Sequence, residues 1–308
     1  MFRKFRVVLF IFLIAGVVFA AAASASATDS HSWDGLKDRL VTDGFNREYV
    51  DSVFSASSLK YDSTMMARKM RVLLKRRFEP PAKKVAREKQ FDERYISPVM
   101  LAGGYSYLRE HYDLLLKIDK RYGVAPSVVV ALLLVETKLG FTLGNAPAFN
   151  NLANMAASSD PLKFFDELGY KKLDDEDMRW LKKRTQKKAD WAYRELSALL
   201  KFSSDNTIVP TDIPGSPYGA FGICQFMPST ALHYAVDGDG DGRIDLFGRD
   251  DALFSMASFL ERHGWTNSLS KEKKLKVIYR YNHSMVYART IYEVARQLEK
   301  IRSTFGPA

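Results

Sequence analysis

Apolar and polar positions along most of this chain recur three and four residues apart and rarely alternate. Leu101, Tyr105, Leu108, Tyr112, Leu115 and Tyr122 fall on one face, which predicts an amphipathic helix over 98–122 that Gly123 ends. The following stretch, "APSVVVALLLVETKLGF" (125–141), is apolar on every side of a helix, with Pro126 suited to a first turn and Gly140 to a stop. A helix with no polar face must be packed all round, so this one is expected at the centre of the fold. The same spacing predicts helices over 33–41, 46–56, 63–77, 174–184, 187–202, 228–235, 250–263, 271–282 and 285–303. Neither a series of alternating strands nor an internal repeat is present, so the fold class is mainly α. "FEPPAKKV" (78–85) reads as an exposed linker that divides an N-terminal helical lobe, 28–85, from a main domain, 86–308. Residues 203–222, rich in Pro, Gly and Ser, form a long loop, and long loops in compact domains are often functional.

The first residues do not follow this pattern. "MFRKFR" is basic, a charge-free apolar run follows, and "ASA" at 25–27 offers the small residues of a cleavage site. Residues 1–27 therefore read as a secretory signal peptide, with an uncleaved anchor as the alternative. Net charge is +10 over 308 residues, and a basic exported protein suits an anionic partner such as a cell wall or an acidic membrane surface. Export and the lack of any recognition motif argue against nucleic acid. The basic runs at 75–77 and 182–188 read as solvated helix faces. The single cysteine, Cys224, allows no internal disulfide and reads as a small buried hydrophobe. Five scattered histidines give no zinc-like cluster.

Glu136 interrupts the apolar helix. No cation stands three or four positions away, so no local ion pair accounts for it. Burial and a place in the last helical turn both disfavour the charged form and raise its pKa. A carboxylic acid of that kind suits a general acid near neutral pH; the alternative is a side chain reaching solvent at a helix end.

"DGDGDGRIDL" places Asp237, Asp239 and Asp241 at positions 1, 3 and 5 of a calcium loop, Gly242 at the sharp turn and Asp245 at position 9. Three alternating carboxylates repel one another unless a hard cation sits among them. Position 12 is Gly248 in place of the usual glutamate, so a longer loop, 237–251, would close on Asp251. The alternative is a solvated acidic turn. A bound Ca2+ would be structural.

"VETKLG" (135–140), "GAFGICQFMPST" (219–230), "AVDGDGDGRIDL" (235–246), "RHGW" (262–265) and "YNHS" (281–284) occur in this order. Together they resemble the membrane-bound lytic murein transglycosylase B family, from about residue 34 to the C-terminus. The resemblance implies a lysozyme-like helical domain that cleaves peptidoglycan between N-acetylmuramic acid and N-acetylglucosamine without water. It implies Glu136 as the single catalytic acid, acting first as acid and then as base while the muramic acid C6 hydroxyl closes a 1,6-anhydro ring. It also implies substrate contacts from Ser216, Gln225, Phe226, Tyr281 and Asn282, and calcium ligands Asp237, Asp239, Asp241, Asp245 and Asp251. For each of the five substrate-contact positions the competing reading is core packing, strongest for Phe226 and Tyr281.

The sequence departs from the family at Pro217–Tyr218 and at "NNLANMAASSDP" (150–161), so no arginine clamp is assigned. The missing lipidation cysteine implies a periplasmic form that is not a lipoprotein, a monomer working on glycan strands in proximity to a membrane. Two other readings stay open. One is a hydrolytic muramidase, which would need a second carboxylate, with Asp160 or Asp212 as candidates. The other is a peptidoglycan-binding scaffold with a weak or dead site.

Overall fold

The computed structural model describes residues 33–79 and 90–306. The leader expected over 1–27 and most of the linker expected over 78–85 lie outside them. Among the described residues twelve α-helices run in order: α1 (Asp34–Thr42), α2 (Arg47–Phe54), α3 (Thr64–Phe78), α4 (Pro98–Glu110), α5 (Tyr112–Tyr122), α6 (Pro126–Thr137), α7 (Ala148–Ala157), α8 (Asp175–Asp205), α9 (Pro228–Tyr234), α10 (Arg249–Arg262), α11 (Lys271–Tyr281) and α12 (Met285–Phe305). Short 3-10 turns cover Glu93–Ile96, Pro161–Leu168 and Pro210–Asp212. Two two-residue strands, β1 (Ala146–Pro147) and β2 (Pro214–Gly215), pair antiparallel, Ala146 opposite Gly215.

The apolar helix is central, as its pattern requires. Every residue of α6 from Pro126 to Leu134 is buried, and α4, α5, α10 and α12 all pack on it. A second group forms around the long α8, which carries α7, α9 and α3 along its length. The helices expected as an N-terminal lobe share their core with this group: Phe54 lies edge-on to Phe149 at 5.4 Å, and Trp33 packs on Phe54 at 5.5 Å. One continuous apolar cluster runs from Trp33 to Leu298.

Two expected elements differ. The helix expected over 98–122 is two helices, broken at His111 (φ −114°, ψ 26°). Neither proline nor glycine marks the break. It lets the first half lie on α6 and α12 while the second lies on α6 and α10, partners that one straight rod would not reach together. Conversely, 174–184 and 187–202 are one helix of 31 residues, α8. The basic run 182–188 lacks a breaker, and Leu181, Thr185 and Ala189 keep the buried face in phase across it. Most of that run is solvated, as expected, but Lys188 lies half-buried 3.0 Å above the Trp191 ring, and loss of hydration lowers its pKa to about 8.

The packing around α6 sets a first prediction. Leu132 is 0% exposed. Leu132→Ala is expected to lower unfolding stability by about 2–5 kcal/mol, the usual cost of a lost methyl cluster and its cavity, read as a shifted midpoint in urea.

Candidate active site

The exit from α6 determines where its carboxylate stands. The helix stops at Thr137, three residues before the glycine expected to end it. Lys138 (φ 51°) and Leu139 (φ 66°) wind left-handed ahead of Gly140 (φ 91°). The Lys138 amide donates to the Leu134 carbonyl and the Leu139 amide to the Leu133 carbonyl, which satisfies the last helical acceptors. The Thr137 hydroxyl accepts from the Gly140 amide at 3.1 Å and reaches the Ile223 carbonyl at 3.2 Å. The end of the helix is thereby fastened to the turn 222–225. That turn approaches closely: a Cβ on Gly222 (φ 73°) would meet the Leu246 carbonyl oxygen at 2.6 Å.

Glu136 sits at this end with its open side on a cavity of about 320 Å³, lined also by Asp92, Tyr95, Asn282, Ser284 and Tyr287. The surrounding protein strips water from the carboxyl and pushes its pKa from the usual range to about 7; a hydrogen bond donated by the Tyr287 hydroxyl partly opposes the shift. Burial drives the Tyr281 and Tyr287 phenols well above their ordinary range, so both stay neutral donors. Tyr281 donates to the Cys224 carbonyl at 2.6 Å and lies nearly parallel to Tyr287, ring centres 6.4 Å apart. Cys224 is fully buried, as its reading required, and its thiol is pushed up to about 12.

The residues nominated from the sequence divide. Asn282 lines the Glu136 cavity. Tyr281 holds the turn behind it. Gln225 stands in the left-handed region (φ 49°), and its amide donates at 2.9 Å to the Leu143 and Gly222 carbonyls. Both its donors are spent, so it can offer a ligand only the acceptor Oε1. Ser216 is half-buried, and its hydroxyl accepts from the Ala220 amide at 3.0 Å. Phe226 is a correction. It is 2% exposed and packed between Phe259 and Tyr281 at 5.8 and 5.6 Å, so it presents no face to a sugar. Core packing was already the competing reading for it, because aromatic residues usually pack.

Two functional groups escaped the sequence reading. Tyr287 follows the "YNHS" stretch by one helical turn, which was the available signal. Asp92 is a second carboxylate on the cavity. Arg94 holds it through a guanidinium contact at 2.5 Å, and the Asp92 amide donates to the Thr290 hydroxyl at 2.8 Å. The expected candidates lie elsewhere: Asp160 caps the Leu162 amide at 3.0 Å, Asp212 belongs to the turn Pro210–Asp212, and neither lines this cavity.

In the acidic loop, Asp237, Asp239 and Asp251 bring one carboxylate oxygen each within 4.8 Å of one another. Asp251 is 4% exposed and its pKa is raised by burial. Asp241 and Asp245 are not in this cluster; they accept the Arg243 amide at 2.8 Å and the Phe247 amide at 2.9 Å. A cluster of hard oxygen donors that includes one buried carboxylate fits a divalent cation such as Ca2+.

The family model described as the transglycosylase SLT domain matches residues 28–273. The chain belongs to the transglycosylase SLT domain family. It is 26% identical over 229 residues to membrane-bound lytic murein transglycosylase B of Escherichia coli, a match that covers 74% of this chain and 56% of that protein. The chain thus spans little more than half the length of this SLT-domain relative. Its fold is that of soluble lytic transglycosylase SltB1 from Pseudomonas aeruginosa, with TM-score 0.66 at 22% identity over 87% of this chain and 98% of that one. It is also that of the Escherichia coli lytic transglycosylase Slt35 solved in complex with calcium, with TM-score 0.65 at 20% identity over 90% and 95%. Among the described residues of this family member, no helix is long and apolar enough to cross a membrane.

The contact between Glu136 and Tyr287 yields a second prediction. Tyr287→Phe removes the hydrogen bond that lowers the Glu136 pKa, so the pKa should rise from about 7. The protonated form then persists to higher pH. Activity plotted against pH should show its alkaline limb displaced upward, and an unmoved limb would detach Tyr287 from the acid.

Proposed function

We propose that this protein is a peptidoglycan lytic transglycosylase in which Glu136 serves as both acid and base. The observation that carries the reading is a dehydrated carboxyl with a pKa near 7, closing the apolar α6 and facing a cavity. Near neutral pH a substantial fraction is protonated and able to donate. Protonation of the glycosidic oxygen lets the bond from the muramic acid C1 break. The Glu136 carboxylate so formed takes the proton of the C6 hydroxyl as that oxygen bonds to C1. The products are an N-acetylglucosamine end and a 1,6-anhydro-muramic acid end, with no water consumed. An internal nucleophile enjoys a high effective concentration, so one carboxyl is sufficient.

Asn282 would hold polar groups of the sugar in the Glu136 cavity, Gln225 would offer its free acceptor Oε1, and Ser216 would contribute from the loop 203–222. Tyr281 positions the turn. A glycan substrate requires delivery to the wall, which the expected leader 1–27 would provide. We assign Ca2+ to Asp237, Asp239 and Asp251, where it would neutralise the crowded carboxylates and stiffen the loop between α9 and α10; the calcium complex of Slt35 supports the choice of ion. Asp241 and Asp245 accept those amides through Oδ1 and would join this set through Oδ2.

Asp92 favours a second reading, hydrolysis by a carboxyl pair. Its ion pair with Arg94 speaks against it, because an engaged carboxylate is a poor base for water.

Product masses from purified peptidoglycan test the choice. New muramic acid ends should be one water lighter than reducing ends, and Glu136→Gln should fold normally yet lose at least about 10²–10⁴-fold in rate. Mostly reducing ends would install the hydrolytic reading. For the ion, added calcium should raise the thermal midpoint and a chelator lower it. At about 100 times the dissociation constant the gain is about 2.7 kcal/mol. Asp239→Ala should abolish that response, and a midpoint indifferent to calcium would remove the assignment.

A further inference from the structure

The chain at Asn282 (φ −145°, ψ 108°) and Ser284 (φ −138°, ψ 122°) is extended. Between them the chain bends at His283, where the Ser284 amide donates to the Asn282 carbonyl. Asn282 and Ser284 line the Glu136 cavity. His283 and Met285 line another cavity of about 460 Å³, completed by Lys276, Tyr279 and Arg280 of α11. One thickness of chain separates the two.

The second cavity has three basic side chains and no acidic one in its lining. Lys276 and Arg280 stand four residues apart on one helix face, a spacing at which like charges repel. Among the described residues neither forms an ion pair, whereas Arg77, Arg94, Arg249, Arg296 and Arg302 each meet a carboxylate. The His283 ring lies edge-on to Tyr279, centres 5.4 Å apart, and Met285 is 37% exposed, so the cations surround an apolar wall.

We propose that this cavity binds the stem peptide of the glycan strand, its free carboxylate meeting Lys276 and Arg280 and its aliphatic part lying on Tyr279 and Met285. The proposal rests on the transglycosylase reading above. A stem peptide leaves the muramic acid at the reacting bond, and an extended peptide advances about 3.3–3.6 Å per residue. Residues of the two linings are adjacent in sequence, with Cα atoms about 3.8 Å apart, so a peptide of about three residues is long enough to carry a carboxylate from one cavity to the other. A phosphate polymer would satisfy the cations, but it leaves the apolar wall unused and is not tethered to the reacting sugar.

The test uses the double variant Lys276→Ala/Arg280→Ala in the full chain; both side chains are exposed, and an unchanged thermal midpoint verifies folding. Kinetics are measured on glycan strands bearing stem peptides and on the same strands stripped of them by an amidase. KM is expected to rise roughly two- to thirtyfold on the peptide-bearing strands, the range for two exposed charge contacts. kcat should hold, and neither constant should change on stripped strands. Free stem peptide should shift the His283 ring resonances, and inorganic phosphate at equal concentration should not. Equal losses on both substrates, no loss on either, or an equal shift with phosphate would each overturn the proposal. If the wild type releases product from neither substrate, the transglycosylase reading fails instead, and the His283 response to peptide still decides whether this cavity binds it.

Discussion

The burial of an all-apolar helix with one carboxyl in its final turn is the constraint on which the site depends. Burying α6 on every side requires four helices around it, and those helices set the outline of the catalytic region. An isolated carboxylate in such surroundings would be costly to keep charged. Here the cost takes the form of a raised pKa, offset in part by one phenol. The same burial that stabilises the fold prepares an acid at the end of the helix.

Holding that acid in place falls to main-chain chemistry. Lys138, Leu139 and Gln225 all occupy the left-handed region without being glycine, at a cost on the order of 1–2 kcal/mol each. Such conformations persist where the surroundings determine them from several sides. Here the determinants are the Thr137 hydroxyl, the two carbonyls that receive the Gln225 amide, and the close approach of Gly222 to Leu246. The side chain expected to grip a sugar by donor and acceptor is therefore partly occupied in shaping the turn that carries it.

The sequence made the centre of the fold legible because α6 lacks a polar face, and it made Glu136 legible because nothing local accounted for it. Helix ends followed where proline or glycine marked them, as at Pro126 and Gly123. The break at His111 left no such mark: it answers to packing partners far along the chain, which periodicity does not record. The unity of α8 was hidden by a basic run that resembles a junction in composition but keeps its apolar positions in phase. Asp237 and Asp239 were legible from their alternation, and Asp251 from the need to close the loop. Tyr287 and Asp92 were not, because their roles arise from contacts across 151 and 198 positions of sequence. Phe226 shows the converse error, in which a residue inside a telling motif serves the core.

Those long separations bear on the order in which the molecule becomes competent. The element that supplies Tyr287 and anchors Asp92 through Thr290 is α12, the last helix of the chain. Contacts of such range form late, after local helices have already collapsed. A chain that is synthesised or threaded N-terminus first carries Glu136 for about half its passage, 151 of 308 residues, without the phenol that tempers it or the wall that encloses it. The acid is assembled only when the final helix docks. Connectivity alone thus delays the completed site, and with it the activity proposed above, until the C-terminal helix has packed.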